Sequence, residues 1–306
     1  MSEQTIDAAT ADPADFLITG ETALTAELLA DLDGSATAAR AVGFTVRQRS
    51  SGRYLDAHEI PAEDFRMVTR PAQNNDTQRW QFAFVGYLIT ARQEVNGRYL
   101  DAYESGGFEL VTRPAQDDDS QRWMLIPSAG GSYTMQQLVN ARFMDAFESA
   151  AQDFRAVSRP AQNNDSQRWL LNAVGGAFTI QEKVNGRYLD AYESAANDFA
   201  VVTRPAQNNA SQRWLLDVIG GLYTVTQVSS GRFADAYENG DHTMVTRPAQ
   251  GDDSQRWVLR PSAGGSQTIQ QLVNARYADA YEDGTHDYSA VTRPAQNDDS
   301  QRWILG

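Results

Sequence analysis

Asn185-Gly186-Arg187-Tyr188-Leu189-Asp190-Ala191-Tyr192, followed by Val201-Val202-Thr203-Arg204-Pro205 and closed by Ser211-Gln212-Arg213-Trp214, is a pattern that this chain of 306 residues writes six times with small changes. The closing Gln-Arg-Trp triplets end at Trp80, Trp123, Trp169, Trp214, Trp257 and Trp303, at intervals of 43, 46, 45, 43 and 46 residues. Trp80 and Trp214, Trp123 and Trp257, and Trp169 and Trp303 are each 134 residues apart, so one three-repeat block is written twice. A repeat with a threefold super-period is the constraint that any fold must meet.

Within one repeat, Phe178-Thr179-Ile180-Gln181 alternates as a half-buried strand does. Asn185-Gly186 tolerates positive φ and turns a hairpin into a second strand over 187–193. After a variable turn, 194–198, a third strand over 199–204 ends at Pro205, which cannot donate to a ladder. A polar loop then leads to a fourth strand over 211–216. Four short strands in about 40 to 45 residues suit a propeller blade or a β-trefoil lobe. A six-bladed propeller gives no reason for a period of three, whereas two trefoils, each closing after three lobes, do. The spacers agree: Pro127-Ser128-Ala129-Gly130-Gly131 returns only as Pro261-Ser262-Ala263-Gly264-Gly265.

The reading is therefore all-β, with tandem β-trefoils over 41–171 (lobes ending Trp80, Trp123, Trp169) and 172–306 (lobes ending Trp214, Trp257, Trp303). Ahead of them, residues 1–40 form an acidic leader with eight carboxylates against Arg40 alone, half of the net charge of −14. Leu24, Leu28, Leu29 and Leu32 fall at helical spacing and predict a short helix over 21–32. The expected place for it is against its own domain; the alternative is a docking element for a partner.

The acidic balance excludes a phosphate backbone as partner, since nucleic-acid binding needs a basic footprint, and it disfavours an anionic membrane surface. With no cysteine, disulfides and thiolate metal sites are ruled out. No stretch of about 18 apolar residues and no basic start followed by an apolar run occurs, so membrane insertion is not expected. The expected location is the cytoplasm or, after non-standard export, outside it. Acidic loops such as Asp117-Asp118-Asp119 lack the alternating ligands and distal Glu of a calcium hand, and His58, His242 and His286 sit at unequal positions in separate lobes. No phosphate loop or nucleophile elbow is present. Neither cofactor, metal nor catalysis is expected.

Basic residues are 25 arginines against Lys183 alone, and eighteen of the arginines recur at three fixed places, as at Arg187, Arg204 and Arg213. A planar fork suits fixed bidentate bonds to carboxylates or carbonyls.

At its Gln-x-Trp triplets, each preceded by an Arg-aromatic-x-Asp-Ala strand, the chain resembles the ricin B-type lectins over residues 41–306. The resemblance implies a structural role for Gln78, Gln121, Gln167, Gln212, Gln255 and Gln301 with their tryptophans, the indole filling the barrel floor and the amide capping backbone where lobes meet. It further implies non-enzymatic, multivalent carbohydrate binding, with glycans or glycoconjugates as partners. The second-strand aspartates that would receive sugar hydroxyls are Asp56, Asp101, Asp145, Asp190, Asp235 and Asp279. If Leu189 and Ala191 face the core, strand alternation turns Tyr188, Asp190 and Tyr192 outward together. The same row contains Tyr99 and Tyr103, Tyr237, and Tyr281, with Asp101 and Asp190 in the most complete rows.

Two departures stand out: the third strand ends Thr-Arg-Pro rather than in an aromatic platform, and Ser or Thr replaces the family's Asn before the final Gln. They leave open a second reading of the aspartates, as partners of repeated arginines. The alternative function is a structural or assembly module that uses the trefoil surface, or the leader 1–40 as a self-assembly or protein contact.

Overall fold

A computed structural model of the chain describes residue 18 and residues 20–35 and 41–306. Each repeat is four-stranded, as in the fourth lobe: Ala177–Glu182, Tyr188–Ala191, Val201–Arg204 and a last strand that begins at Trp214. Ser211 and Gln212 belong instead to a 3-10 turn, Ala210–Gln212, that delivers the Trp to the barrel. The second and third strands pair antiparallel with Tyr188 opposite Arg204. All six lobes keep this register, down to Tyr99 opposite Arg113 and Phe143 opposite Arg159.

Every Gln-x-Trp works within its own lobe. The six indoles are at most 1% exposed, and each Nε1 donates at 3.0–3.2 Å to a second-strand carbonyl, that of Leu189 for Trp214. The buried Gln accepts, through Oε1, the N–H of the residue five positions earlier. Its Nε2 donates to the proline carbonyl seven positions earlier. It thus closes the polar loop after the third strand, not the junction between lobes that the sequence suggested.

A different glutamine makes that junction. At the end of the first strand, Gln48, Gln93, Gln137, Gln227 and Gln271 are buried, and their side chains donate to the carbonyls of Ser300, Ser211, Ser120, Thr77 and Ser254 at 2.7–2.9 Å. These bonds link lobe one to six, six to five and five to one; separately they link two to four and three to two. Backbone bonds repeat the order: Thr69, Thr246 and Thr292 donate to Tyr288, Phe65 and His242, while Thr112, Ser158 and Thr203 donate to Phe199, Phe108 and Phe154.

The chain accordingly forms two compact units, one of lobe one with residues 220–306, the other of residues 86–219 with the segment that contains the leader helix. The division at 171/172 expected from the repeats is not the one adopted: the trefoil of lobes two to four is inserted into that of lobes one, five and six. The 134-residue period could not decide this, because any three successive lobes satisfy it. What decides is whether a junction turns. Inside the units the chain reverses at Gly130-Gly131, Gly175-Gly176 and Gly264-Gly265, all with φ of 60–88°. Between them it stays extended, in Arg79–Gln93 and Trp214–Gln227. Gly86 lies so close to its paired strand that a Cβ would stand 2.5 Å from the Leu125 carbonyl.

In the first unit, Ala41–Gln48 pairs with Trp303–Leu305 on one side and with the Trp80 strand on the other. Phe44, Phe82 and Tyr223 meet edge to face above Trp80, Trp257 and Trp303. In the second unit, Trp123, Trp169 and Trp214 share a buried core with Leu88, Leu125 and Ile180.

The leader helix is Ala26–Ser35. It starts later than predicted because Thr22–Ala23 pairs as a short strand with Asp217 and Val218. Thr25 Oγ1 accepts the Leu28 N–H at its start. Leu24, Leu29 and Leu32 are buried, and their segment belongs to the second unit, not to the unit of lobe one that follows it in the sequence. Residues 1–17, 19 and 36–40 of the leader, and any partner contact expected of them, lie outside the described residues. No helix among the described residues is long and apolar enough to cross a membrane.

The fourth lobe breaks the glutamine rule. Glu182 stands where the others have Gln; it is fully buried, and Oε2 accepts from Asn185 Nδ2 at 2.7 Å while Oε1 has no hydrogen-bond partner. Burial pushes its pKa from 4.5 to about 8, and the protonated acid regains the donor that an amide supplies. A folded-state pKa above the unfolded one means that stability is greatest below pH 4.5 and falls as pH rises towards 8. Glu182→Gln should therefore raise the melting temperature at pH 9, by a stability gain of roughly 1–3 kcal/mol, and change little at pH 4; calorimetry at both values checks this. The insertion topology makes a second prediction. A fragment of residues 86–219 should melt cooperatively with native near-ultraviolet dichroism, whereas one of residues 41–171 should not.

Candidate functional site

The outer surface of each lobe is built where the second strand crosses the third. The six aspartates do not face solvent beside their rings: all are 0–1% exposed. Oδ1 of Asp56, Asp101, Asp145, Asp235 and Asp279 accepts the N–H of the following alanine at 2.7–2.8 Å. Oδ2 points to the third-strand arginine in five lobes: Asp101 to Arg113 (3.9 Å), Asp145 to Arg159 (3.3 Å), Asp190 to Arg204 (3.6 Å), Asp235 to Arg247 (3.9 Å) and Asp279 to Arg293 (3.3 Å). Strand alternation failed here because a short, deep carboxylate folds under a long arginine, which keeps its stem on the protein and its head at the surface. Burial raises the pKa of Asp101, Asp235 and Asp279, with the arginine pulling the other way.

The rings are at the surface. Tyr54, Tyr99, Phe143, Tyr188, Phe233 and Tyr277 are half-buried, whereas Tyr103 and Tyr237 are each 37% exposed. The third-strand guanidinium lies over the second ring of its own row, Tyr103, Phe147, Tyr192, Tyr237 or Tyr281, at 4.4–4.6 Å from the centroid. In the first lobe His58 takes the ring's place and Arg70 Nη2 reaches it.

A second arginine backs each site. Arg53, Arg98, Arg142, Arg187, Arg232 and Arg276 clamp, through Nε and Nη2, the carbonyl just before the third-strand arginine. Five of them lie 3.6–3.7 Å over a ring of the neighbouring lobe: Tyr288, Phe199, Phe108, Phe154 and Phe65. Each of these rings is on a residue with φ of 50–56°. Tyr103, Tyr192 and Tyr237 in turn donate their hydroxyls to Asp198, Asp153 and Asp64 of the adjoining lobe. Each trefoil also has an open depression where its three lobes converge. One, of about 640 Å³, is lined by Asp64, Arg66, Tyr237, Tyr281 and Asp287; the other, of about 450 Å³, by Tyr103, Glu109, Asp153, Arg155 and Tyr192.

The acidic loops are turns. Asp118 Oδ1 accepts from the Ser120 backbone and hydroxyl, and Asp119 binds Arg122.

The family described as ricin-type beta-trefoil lectin domain-like matches residues 119–204, 165–251 and 210–292, together more than half of the chain. The chain belongs to this family. For a ricin-type lectin-like protein, carbohydrate binding in general is the supported activity. Solved structures resemble one trefoil's length of it. The designed three-fold symmetric protein ThreeFoil is 20% identical over 42% of this chain and 96% of its own, with a TM-score of 0.40. The Rhizoctonia solani agglutinin is 18% identical over 43% and 95%, with a TM-score of 0.39. SeviL bound to asialo-GM1 saccharide is 22% identical over 43% and 96%, with a TM-score of 0.35. No curated protein matches the chain in sequence.

Sequence reasoning noticed the recurring arginines but assigned the surface to aspartate; the signal was the Thr-Arg-Pro that stands where the lectin pattern has an aromatic platform. Because Asp190 is buried and Arg204 is its only charged partner described, Arg204→Met should cost roughly 1–3 kcal/mol. Adding Asp190→Asn should recover most of it, which a denaturation double-mutant cycle measures.

Proposed function

We propose that this protein is a non-catalytic, multivalent carbohydrate-binding protein whose sites are the arginine-ring surfaces of its lobes. The carrying observation is their repetition. In five lobes a guanidinium, anchored from below by a buried aspartate, is held 4.4–4.6 Å over an aromatic ring. Such a surface offers an apolar ring edge and fixed donors, the combination that orients a sugar's C–H face and its oxygens. The aspartates act through the arginine they hold, rather than on sugar hydroxyls as the family pattern implied.

Several weak sites on one molecule gain avidity through effective concentration, without new contacts. The reading predicts that an array bearing its glycan at high density captures the protein about a hundredfold more tightly than free monovalent glycan does. Arg113→Gln together with Arg204→Gln should weaken that capture while leaving the melting profile cooperative. An array on which nothing binds, with light scattering that shows concentration-dependent polymers, would favour the assembly role instead.

A further inference from the structure

We infer that the third lobe takes an acidic saccharide, one carrying a carboxylate or a sulfate, and that Arg142 and Arg159 receive the anion between the rings of Phe108 and Phe147. The inference rests on the lobe-surface reading above and concerns which sugar chemistry one site accepts.

The two arginines converge on one point of the third strand. Arg142 Nε and Nη2 donate to the Ser158 carbonyl at 3.1 and 2.7 Å, and Arg159 is the next residue. Arg142 lies 3.7 Å over Phe108, and Arg159 lies 4.6 Å over Phe147. Among the described residues one carboxylate pairs with these arginines, the buried Asp145, which reaches Arg159 Nη1 at 3.3 Å. The pKa of Arg142 is lowered, first by burial and then by repulsion from Arg159. A guanidinium donates and never accepts, so the donors that remain on this pair call for a ligand rich in acceptors and opposite in charge.

Twin arginines occur in every lobe, but four of the others have an acid at this place, and in the sixth a histidine covers the ring. Tyr103, Tyr192 and Tyr237 bring Asp198, Asp153 and Asp64 of the next lobe beside their guanidinium. In the first lobe Asp287 stands 3.6 Å from His58, and in the sixth His286 covers Tyr281 at 4.1 Å. The third lobe has Phe147, which bears no hydroxyl, and the residue before Phe108 is Gly107 instead of an aspartate. Of the nearby acids, Glu148 bears on the buried Glu182, and Glu109 folds back against Gly107 at the rim of the depression, forming no ion pair with Arg142 or Arg159 among the described residues.

The test uses the full chain on an array that pairs each neutral oligosaccharide with its uronate-terminated, sialylated or sulfated counterpart. Acidic members should bind at least about tenfold more tightly, with the preference shrinking at high salt as exposed charges are screened. Because Arg159→Gln strands Asp145, a second variant leaves that pair alone. Gly107→Asp, whose Cβ would first meet the end of the Glu109 side chain and displace it, should abolish the acidic preference, and Gly107→Asn should retain it. Equal binding of acidic and neutral partners, or a preference untouched by Gly107→Asp, overturns the inference while carbohydrate binding stands. Binding of no glycan at all overturns both.

Discussion

An arginine laid flat on its neighbour's ring is the contact that joins lobes at five of the six junctions. Arg187 covers Phe154 at 3.6 Å while its fork holds the Thr203 carbonyl at 2.5–3.1 Å, and Thr203 N–H donates back to the Phe154 carbonyl. Lobes two to four related this way close a ring, since each both gives an arginine and offers an aromatic; in the other trefoil two junctions are built so, and the third has His242 at the ring position. The contact explains why the basic residues are arginine. A lysine ammonium could reach the carbonyl, but it could not also present a flat face to the ring. It explains the left-handed backbone as well: with φ near 50°, the aromatic turns its ring towards the neighbour and leaves its carbonyl free to accept. Non-glycine residues in that conformation carry strain, here offset by a stack and two hydrogen bonds per junction.

Much of the lobe was legible because its signals are local. Asn185-Gly186 turns the hairpin with Gly186 at a φ of 72°, Pro205 ends the third strand, and the Trp spacing gives lobes that close in threes. The grouping of lobes was not legible from the period, which is indifferent to where counting starts. It was written more faintly, in the lobe-one junction Phe82-Ala83-Phe84-Val85-Gly86, where a turn would need two residues of positive φ and the chain offers a single glycine. Gly220-Gly221 obscured the other crossing: there glycine admits a close strand, with a Cβ at 220 only 2.5 Å from the Leu259 carbonyl, and no turn is made.

The site was legible in its residues and misread in its layers. Strand alternation places a side chain on one side of the sheet, but it does not say whether a longer neighbour covers it. Asp190 is on the outer side of its strand and still fully buried, because Arg204, its diagonal neighbour across the hairpin, reaches over it to Tyr192. A buried carboxylate beneath an exposed guanidinium fixes the arginine's rotamer at the expense of the carboxylate's own availability. The donor surface that results is rigid, since the arginine is held from below by charge and from the side by a ring.

Scaffold and lobe surface are therefore made from the same side chains, and this limits where the lobes can differ. Replacing a clamp arginine or its ring opens a junction, so those positions are repeated with little change. The second ring and the residue before the neighbour's aromatic join lobes only through a surface hydroxyl-to-carboxylate bond, and there the lobes diverge: His58 in the first, Phe147 and Gly107 around the third. Variation confined to such positions alters the local charge of a site without loosening the barrel beneath it. One scaffold can then present several related surfaces that differ in local charge.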